Sequence, residues 1–256
     1  MLVSCITITQ PGRLHMLRES VGDFARQTHD ARELIILHDG GSAFDDDVRQ
    51  VVWEVGGHSR IEVHAVARMP LGALRNAAGA VARGDLVCQW DDDDRYHPVR
   101  LQVQHDALTS EGADFCFLSD QLHLYRATGE LFWDDWHGQP YPLNFIQGTL
   151  MGRREKMPMY PDIALGEDTG ACLEILRAGY KICRVRNHGW CYVYVHHGEN
   201  AWSAEHHRAI SQANSLSAAR LMARLGAVRQ RLGEYGPPTG AQVLRDRAGT
   251  MAVSIC

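Results

Sequence analysis

The chain lacks the long apolar runs, paired-cysteine motifs and charge excess that mark several large classes of protein. None of its 256 residues belongs to a run of about 18 apolar residues, and the N-terminal segment has no basic stretch before an apolar one, so the sequence predicts neither a membrane span nor a secretory signal. The seven cysteines include no Cys-x-x-Cys pair, which favours reduced, packed side chains in the cytoplasm over a disulfide framework. The formal charge of −5 provides no general attraction to nucleic acid, and we expect no nucleic-acid partner.

Four common catalytic motifs are also missing from the sequence. It contains no GxxxxGK[ST] loop, no GxGxxG after the first predicted strand, no GxSxG elbow and no HExxH helix. P-loop nucleotide hydrolases, common dinucleotide-binding enzymes, α/β-hydrolases and zincins therefore lack their required parts.

What the sequence does contain is an alternation of short apolar runs with helix-period stretches through about the first hundred residues. This order is typical of βαβ units, and it predicts an α/β fold with a mainly parallel central sheet flanked by helices. The predicted strands are residues 2–9, 33–38, 61–66 and 85–90, and the predicted helices are a segment after residue 12 and residues 48–55 and 71–83.

The alternation stops beyond residue 100. After a helix at 98–109, residues 115–118 and 122–126 are predicted as antiparallel strands around the turn Thr128-Gly129. Residues 203–232 have helical spacing of apolar side chains. We therefore predict one α/β domain over residues 1–202 and a helical C-terminal appendage over residues 203–256.

Four consecutive aspartates, Asp91 to Asp94, follow the strand predicted at 85–90. Two carboxylates about 4 Å apart repel by roughly 1 kcal/mol in water and by more at a lower dielectric, so four in a row need a cation or full solvation. In an extended segment residues i and i+2 point the same way, so we expect Asp91 and Asp93 to form one cluster and Asp92 and Asp94 another. A carboxylate cluster at the carboxyl edge of a parallel sheet suits a magnesium-like ion that carries a nucleotide. A solvated acidic turn is the plainer alternative, but the preceding apolar strand favours the metal.

Four stretches of the sequence together resemble the family-2 glycosyltransferases. They are residues 3–9 followed by a helix, the strand ending in His38-Asp39-Gly40-Gly41-Ser42, residues 72–94, and Gly166-Glu167-Asp168. The resemblance covers about residues 2–202 and implies a GT-A-like fold that binds a nucleoside diphosphate sugar. Two positions depart from the family pattern: Thr9 lies in Ile-Thr-Gln-Pro where the family has Pro-Thr-Tyr-Asn, and His38 replaces the first acid of an Asp-Asp pair.

The resemblance implies roles for residues around the nucleotide. Asp39 would contact the nucleobase, with backbone near Thr9 alongside it, whereas without the family context Asp39 would be interpreted as a turn residue. Arg75 resembles the family's basic residue near the nucleotide, and a solvated helix arginine fits the sequence equally well.

The resemblance also implies a divalent cofactor, Mn²⁺ or Mg²⁺. Asp93 would be the direct ligand, Asp91 would contact the metal, a water on it or the ribose, and Asp92 would complete the nucleotide-binding set. Family members often place a histidine after the last strand where it reaches the metal, and the pattern His-Gly-x-Asn favours His197 over His196. A histidine pair is otherwise more often a surface feature.

Glu167 and Asp168 open a predicted helix. Acids are common in the first turn of a helix because they oppose the macrodipole, so this position alone assigns no chemistry. In the family this Glu-Asp position holds the base that deprotonates the acceptor hydroxyl, which implies Asp168 as the base with Glu167 at the substrate. Gln147 and Gly148 fall where such enzymes line the sugar pocket.

The C-terminal stretch from His206 to Arg247 holds seven arginines against two acids. We expect it either to dock on the inner membrane face, where a lipid-linked acceptor waits, or to pack on a partner subunit in a homodimer. A helix that covers the catalytic domain and has a solvated basic face fits at least as well.

Together these features predict a metal-dependent, inverting glycosyltransferase. It would move a sugar from a nucleoside diphosphate sugar, with a UDP-sugar favoured, to a hydroxyl of a saccharide, lipid-linked saccharide or protein, in polysaccharide or glycoconjugate synthesis. One alternative is a sugar-phosphate nucleotidyltransferase, although Gln10-Pro11-Gly12-Arg13 is a poor version of its glycine-rich basic loop. The other is a catalytically silent nucleotide-sugar-binding protein of the same fold, against which the intact acids at 91, 93, 167 and 168 argue.

Overall fold

The computed structural model describes residues 1–56, 58–140, 142–236 and 240–255. The strands are β1 (Val3–Thr9), β2 (Arg32–His38), β3 (Ile61–Ala65), β4 (Leu86–Gln89), β5 (Arg95–Tyr96), β6 (Phe115–Leu118), β7 (Asp120–Tyr125), β8 (Glu130–Asp135), β9 (Met151–Arg153), β10 (Ile182–Val185), β11 (Tyr192–His196), β12 (Val243–Arg245) and β13 (Ala252–Ser254). The α-helices are α1 (Leu14–Ala25), α2 (Gly41–Val55), α3 (Leu71–Val81), α4 (Arg100–Glu111), α5 (Glu167–Arg177), α6 (Ala204–Asn214), α7 (Ala218–Met222) and α8 (Leu225–Leu232). None of the helices in these ranges has the length and apolar composition needed to cross a bilayer.

The central sheet has the strand order β10-β6-β9-β4-β1-β2-β3. Its strands run parallel except β9, which is antiparallel to both of its neighbours. Side chains alternate between the two faces: Leu34 and Ile36 join the core shared with α1 and α2, whereas Ile35 and Leu37 join the core shared with α3. Because helices cover both faces, these strands are apolar on both sides, which is why they form continuous hydrophobic runs in the sequence. The predicted α/β fold with a mainly parallel sheet is confirmed.

A second sheet has six strands in the order β13-β12-β8-β7-β11-β5. The turn at Thr128-Gly129 joins β7 to β8, which are antiparallel. The predicted pairing of residues 115–118 with 122–126 is wrong, because β6 lies in the central sheet parallel to β10. The antiparallel partner of β7 is β8, in which Phe132 and Trp133 are buried.

The C-terminal residues form strands as well as helices. Strand β12 pairs in parallel with β8, and the buried side chains Leu221, Val228 and Leu244 belong to the same core cluster as β1. The division at residue 202 stays a prediction, but helices α7 and α8 and strand β12 share a core or a sheet with the preceding residues.

Candidate active site

The predicted site residues gather at the carboxyl edge of the central sheet. Thr9 ends β1, Asp39 follows β2, and Asp91 lies two residues after β4. Ligands of open α/β sheets bind at this edge because the strand ends and the loops after them converge there. Thr9 is buried and Asp39 is half-buried, and the hydroxyl of Thr9 has no hydrogen-bond partner within the described residues.

Arg75 joins two of the acidic stretches. Its Nε donates to Glu167 Oε1 at 2.9 Å and its Nη2 donates to Asp91 Oδ1 at 2.9 Å. The arginine is only 6% exposed, so the solvated-helix alternative does not apply. Burial lowers the pKa of Arg75, but Asp91, Tyr160 and Glu167 outweigh it and hold that pKa above its usual range. The guanidinium therefore stays charged, and its Nη1 has no partner among the residues that the structure describes.

Gly72 explains how α3 places Arg75. A side-chain carbon on Gly72 would lie 1.8 Å from the carbonyl oxygen of Pro161, a distance that no real contact allows. Glycine at this position lets α3 approach the loop that precedes α5, and this approach brings Arg75 against Glu167.

The four aspartates have four different environments. The segment turns after Asp91 and is not extended, so it does not form the two i, i+2 clusters. Asp91 accepts from Arg75 and from Gln89 Nε2, the latter at 2.9 Å. Asp94 is buried and accepts the Tyr192 hydroxyl and the Val195 N–H. Burial, with repulsion from Asp93 and Asp91, raises the pKa of Asp94 well above its usual range.

Asp92 and Asp93 share one cation, Arg13. The Nη1 of Arg13 lies 3.1 Å from Asp92 Oδ1 and 3.1 Å from Asp93 Oδ2. Burial and the neighbouring Asp93 raise the pKa of Asp92 to about 7. For Asp93, burial is outweighed by the hydrogen bond from His197 and the charge of Arg13, so its pKa is lowered. Asp93 is therefore the more readily ionised member of the pair.

Two predicted metal ligands meet at this point. His197 Nε2 lies 3.2 Å from Asp93 Oδ2, whereas His196 packs against the rings of Tyr125 and His207. Within the described ranges no group of three His, Cys, Asp or Glu residues is arranged to hold a metal, and both carboxylate oxygens of Asp91 already accept hydrogen bonds. Neighbouring ligand atoms on an octahedral ion are separated by roughly 3 Å. The donor set therefore fits an ion with two protein ligands, Asp93 and His197, that takes the rest from water and phosphate.

A cavity of about 300 Å³ opens beside these acids. Asp91, Gly148 and Asp168 line one end of it. Glu167 points to Arg75 instead, and Gln147 accepts a hydrogen bond from the Thr169 hydroxyl.

The carboxylate of Asp168 lines this cavity. It accepts the Thr169 N–H at 2.7 Å. Burial, joined by the charge of Asp91, raises its pKa against the opposing effects of Arg75 and that N–H. A carboxylate with a raised pKa is a stronger base than an exposed one.

The partners of these acids were not predicted from the sequence. They include Arg13, Gln89 and Tyr192, whose hydroxyl is bonded to Asp94. No local pattern could have identified them, because Asp94 and Tyr192 are 98 residues apart in the chain. The excess of aspartates was the available signal, since buried carboxylates require donors from elsewhere.

The fold and the site together define a GT-A-like α/β protein with a carboxylate-rich ligand site at the sheet edge. The chain belongs to glycosyl transferase family 2, whose family model matches residues 5–159, and it is a glycosyltransferase. No curated protein matches the chain.

Solved structures of S. aureus TarS are similar to the whole fold. TarS 1–349 has a TM-score of 0.58 at 14% identity, over 93% of this chain and 82% of that one. The complex of TarS 1–349 with UDP has a TM-score of 0.58 at 17% identity, over 91% of this chain and 71% of that one. The complex with UDP-GlcNAc has a TM-score of 0.56 at 16% identity, over 91% and 72%. At these identities the likeness shows the fold alone.

Proposed function

We propose that the protein is an inverting glycosyltransferase that transfers a sugar from a UDP-sugar to an acceptor hydroxyl in polysaccharide or glycoconjugate synthesis. The observation that carries the proposal is the cavity that Asp168 and Asp91 line together, with the buried Arg75 bonded to Asp91. The fold shared with TarS, which has been solved with UDP and with UDP-GlcNAc, supports a uridine nucleotide as the donor.

The donor would lie along the carboxyl edge of the sheet. Thr9 and Asp39 would contact the base, because both have polar atoms at the ends of neighbouring strands. Asp91 would accept a ribose hydroxyl, and the unpartnered N–H of Arg75 would donate to the nucleotide. Gln147 and Gly148 would border the sugar, since both line the cavity.

Mn²⁺ or Mg²⁺ fits this site as a cofactor, and Asp93 and His197 are the residues that would hold it. When bound, such an ion neutralises the charge that builds on the leaving diphosphate. Asp93 is suited to this role because its pKa is lowered. Arg13, which lies against Asp92 and Asp93, would add a second positive charge near the leaving group.

Transfer with inversion is a single displacement. The acceptor oxygen forms a bond to the anomeric carbon while the bond from that carbon to the diphosphate oxygen breaks, and the electron pair of that bond leaves with UDP. Asp168 takes the proton of the acceptor hydroxyl. Burial of the Asp168 carboxylate raises its pKa, which increases its strength as a base.

Calorimetric titration of UDP with and without Mn²⁺ tests the donor site. We expect Asp93→Asn to lose the Mn²⁺-dependent part of the affinity, about tenfold or more, because the variant keeps the shape of the side chain and removes its charge. The matched control is Asp47→Asn, an exposed aspartate on α2, which should bind like the wild type. UDP affinity that is equal in Asp93→Asn and the wild type, or unchanged by EDTA, would contradict the metal site.

A further inference from the structure

The cavity at Asp168 extends to a second wall that the donor roles above do not use. This wall contains His123 of β7, Tyr194 of β11, and Trp202, His206 and His207 at the start of α6. Helix α6 lies outside the stretch matched by the family model, residues 5–159. The wall is therefore built partly by the C-terminal segment of this chain.

His123 has one nitrogen committed to the protein and one that is not. Its Nδ1 lies 3.0 Å from Asp134 Oδ2, and Asp134 is itself fixed by the Ser215 hydroxyl at 2.5 Å. In the neutral ring with its proton on Nδ1, that N–H donates to the Asp134 carboxylate and Nε2 is left as an acceptor. The His123 side chain is 1% exposed, and its Nε2 has no partner among the described residues. A buried polar atom that lacks a partner and lies beside a cavity is suited to a hydrogen bond with a ligand.

The rest of the wall is made of aromatic and imidazole rings. Trp202 stacks on His206 with ring centroids 4.8 Å apart and stays 48% exposed, and Tyr194 stacks on His207 at 4.9 Å. Burial and the neighbouring His123 lower the pKa of His207 to about 3, so this ring is neutral at physiological pH. No lysine or arginine is among the described residues that line the cavity, whose other end carries Asp91 and Asp168.

We infer that this wall is the acceptor subsite and that it binds the ring of an uncharged saccharide. The inference rests on the proposed function and specifies its acceptor class. A pyranose ring has an apolar C–H face that packs on an aromatic ring, and hydroxyl groups at its edge that donate hydrogen bonds. Trp202 would pack on the face and His123 Nε2 would accept one hydroxyl, which leaves another hydroxyl for Asp168. A phosphorylated or carboxylated sugar would meet the carboxylates of Asp91 and Asp168, whereas Arg75, which is paired with Asp91 and Glu167, is not among the residues that line the cavity.

Saturation-transfer NMR with millimolar methyl glycosides tests the subsite in the full chain. The probes are the methyl glycosides of glucose, galactose, mannose and N-acetylglucosamine, each with UDP and Mn²⁺ present, together with methyl glucuronide and methyl glucoside 6-phosphate. We expect signal from at least one neutral glycoside and weaker signal from both anionic probes. Trp202→Ala should reduce the neutral signal at least fivefold. Trp53→Ala is the matched control, because Trp53 is an exposed tryptophan of α2 that lines a different cavity.

A second variant and a second measurement separate the possible failures. His123→Gln offers an amide oxygen near the position of Nε2 and should keep part of the signal, whereas His123→Leu should lose it. UDP affinity, measured on the same preparations, should stay within twofold of the wild type in every variant. An unchanged neutral signal in both Trp202→Ala and His123→Leu, stronger binding of the anionic probes, or no binding of any glycoside by a wild type that binds UDP would overturn the subsite. Failure of the wild type to bind UDP would instead overturn the proposed function.

Discussion

Replacing Arg75 with methionine should destabilise the protein strongly. The change keeps the apolar part of the side chain and removes the charge that Glu167 and Asp91 share at 2.9 Å each. The Arg75 side chain is 7% exposed and that of Glu167 is 5% exposed, so solvent cannot replace the lost partner. Removing one member of a buried ion pair typically costs about 3–5 kcal/mol.

In a chain of this size each kcal/mol lowers the melting temperature by about 2–4 °C, so calorimetry at pH 7 should show a decrease of about 6–20 °C. This decrease in the melting temperature of Arg75→Met should become smaller as the pH falls. Burial already raises the pKa of Glu167, and without Arg75 this pKa rises further, so protonation neutralises the unpaired carboxyl at mildly acidic pH. Arg75→Met/Glu167→Gln should recover part of the stability at pH 7 for the same reason.

Arg83→Met is the matched control. Arg83 also bridges two acids, Glu33 and Glu62, but its side chain is 62% exposed, where solvent and salt screen the attraction. We expect little change in the melting temperature of this variant. Equal decreases for Arg75→Met and Arg83→Met, or a loss in Arg75→Met that does not depend on pH, would refute the bridging role of Arg75.

Three further predictions concern the base, the helix contact and the membrane. Asp168→Asn should reduce turnover by roughly a hundredfold or more with UDP affinity intact. In the wild type kcat/KM should rise with pH through a midpoint above the usual aspartate pKa of about 4, and this rise should be absent from the variant. Gly72→Ala should lower the melting temperature because its new carbon would meet Pro161. Gly79→Ala on the same helix adds a carbon with nothing within 4 Å and should be neutral or stabilising by about 0.5–1 kcal/mol. A melting temperature that is lower in Gly79→Ala than in Gly72→Ala would contradict the tight contact at Gly72. The chain should not sediment with anionic vesicles at physiological salt, because four of its C-terminal arginines pair with acids: Arg208, Arg220, Arg231 and Arg245. Sedimentation that rises with the anionic lipid fraction would instead support the membrane-docking hypothesis.

The sequence predicted the parallel half of the fold well because its strands are buried on both faces. Their apolar runs are continuous, and the helices between them keep a regular spacing. Where polar residues interrupt the pattern, prediction was less accurate: α2 begins at Gly41, not at Val48, because Asp45, Asp46 and Asp47 conceal its first turns. Strand β8 was missed because its aromatic residues resembled an irregular stretch.

The candidate site could be predicted only as far as local patterns reach. The end of β4 located the aspartates, and the pattern His-Gly-x-Asn favoured the histidine that lies against Asp93. The individual states of Asp92 and Asp94 depend on Arg13 and Tyr192, which the fold brings from distant parts of the chain. Burial and partner identity set these pKa values, and neither is a local property of the sequence.

The pairing of β12 with β8 has a consequence for the order in which the protein is made. This pairing joins Leu244 to Leu131, so β12 must have emerged from the ribosome before the second sheet can be completed. The strands that end at or just before Thr9, Asp39 and Asp91 are synthesised well before that and can associate first, since nascent chains generally fold from the N-terminal end. Closing the long loop between β8 and β12 is a late and slow step. A chain arrested before residue 243 therefore has the strands of the nucleotide site but cannot form the strand pair that ties its C-terminal end to the second sheet.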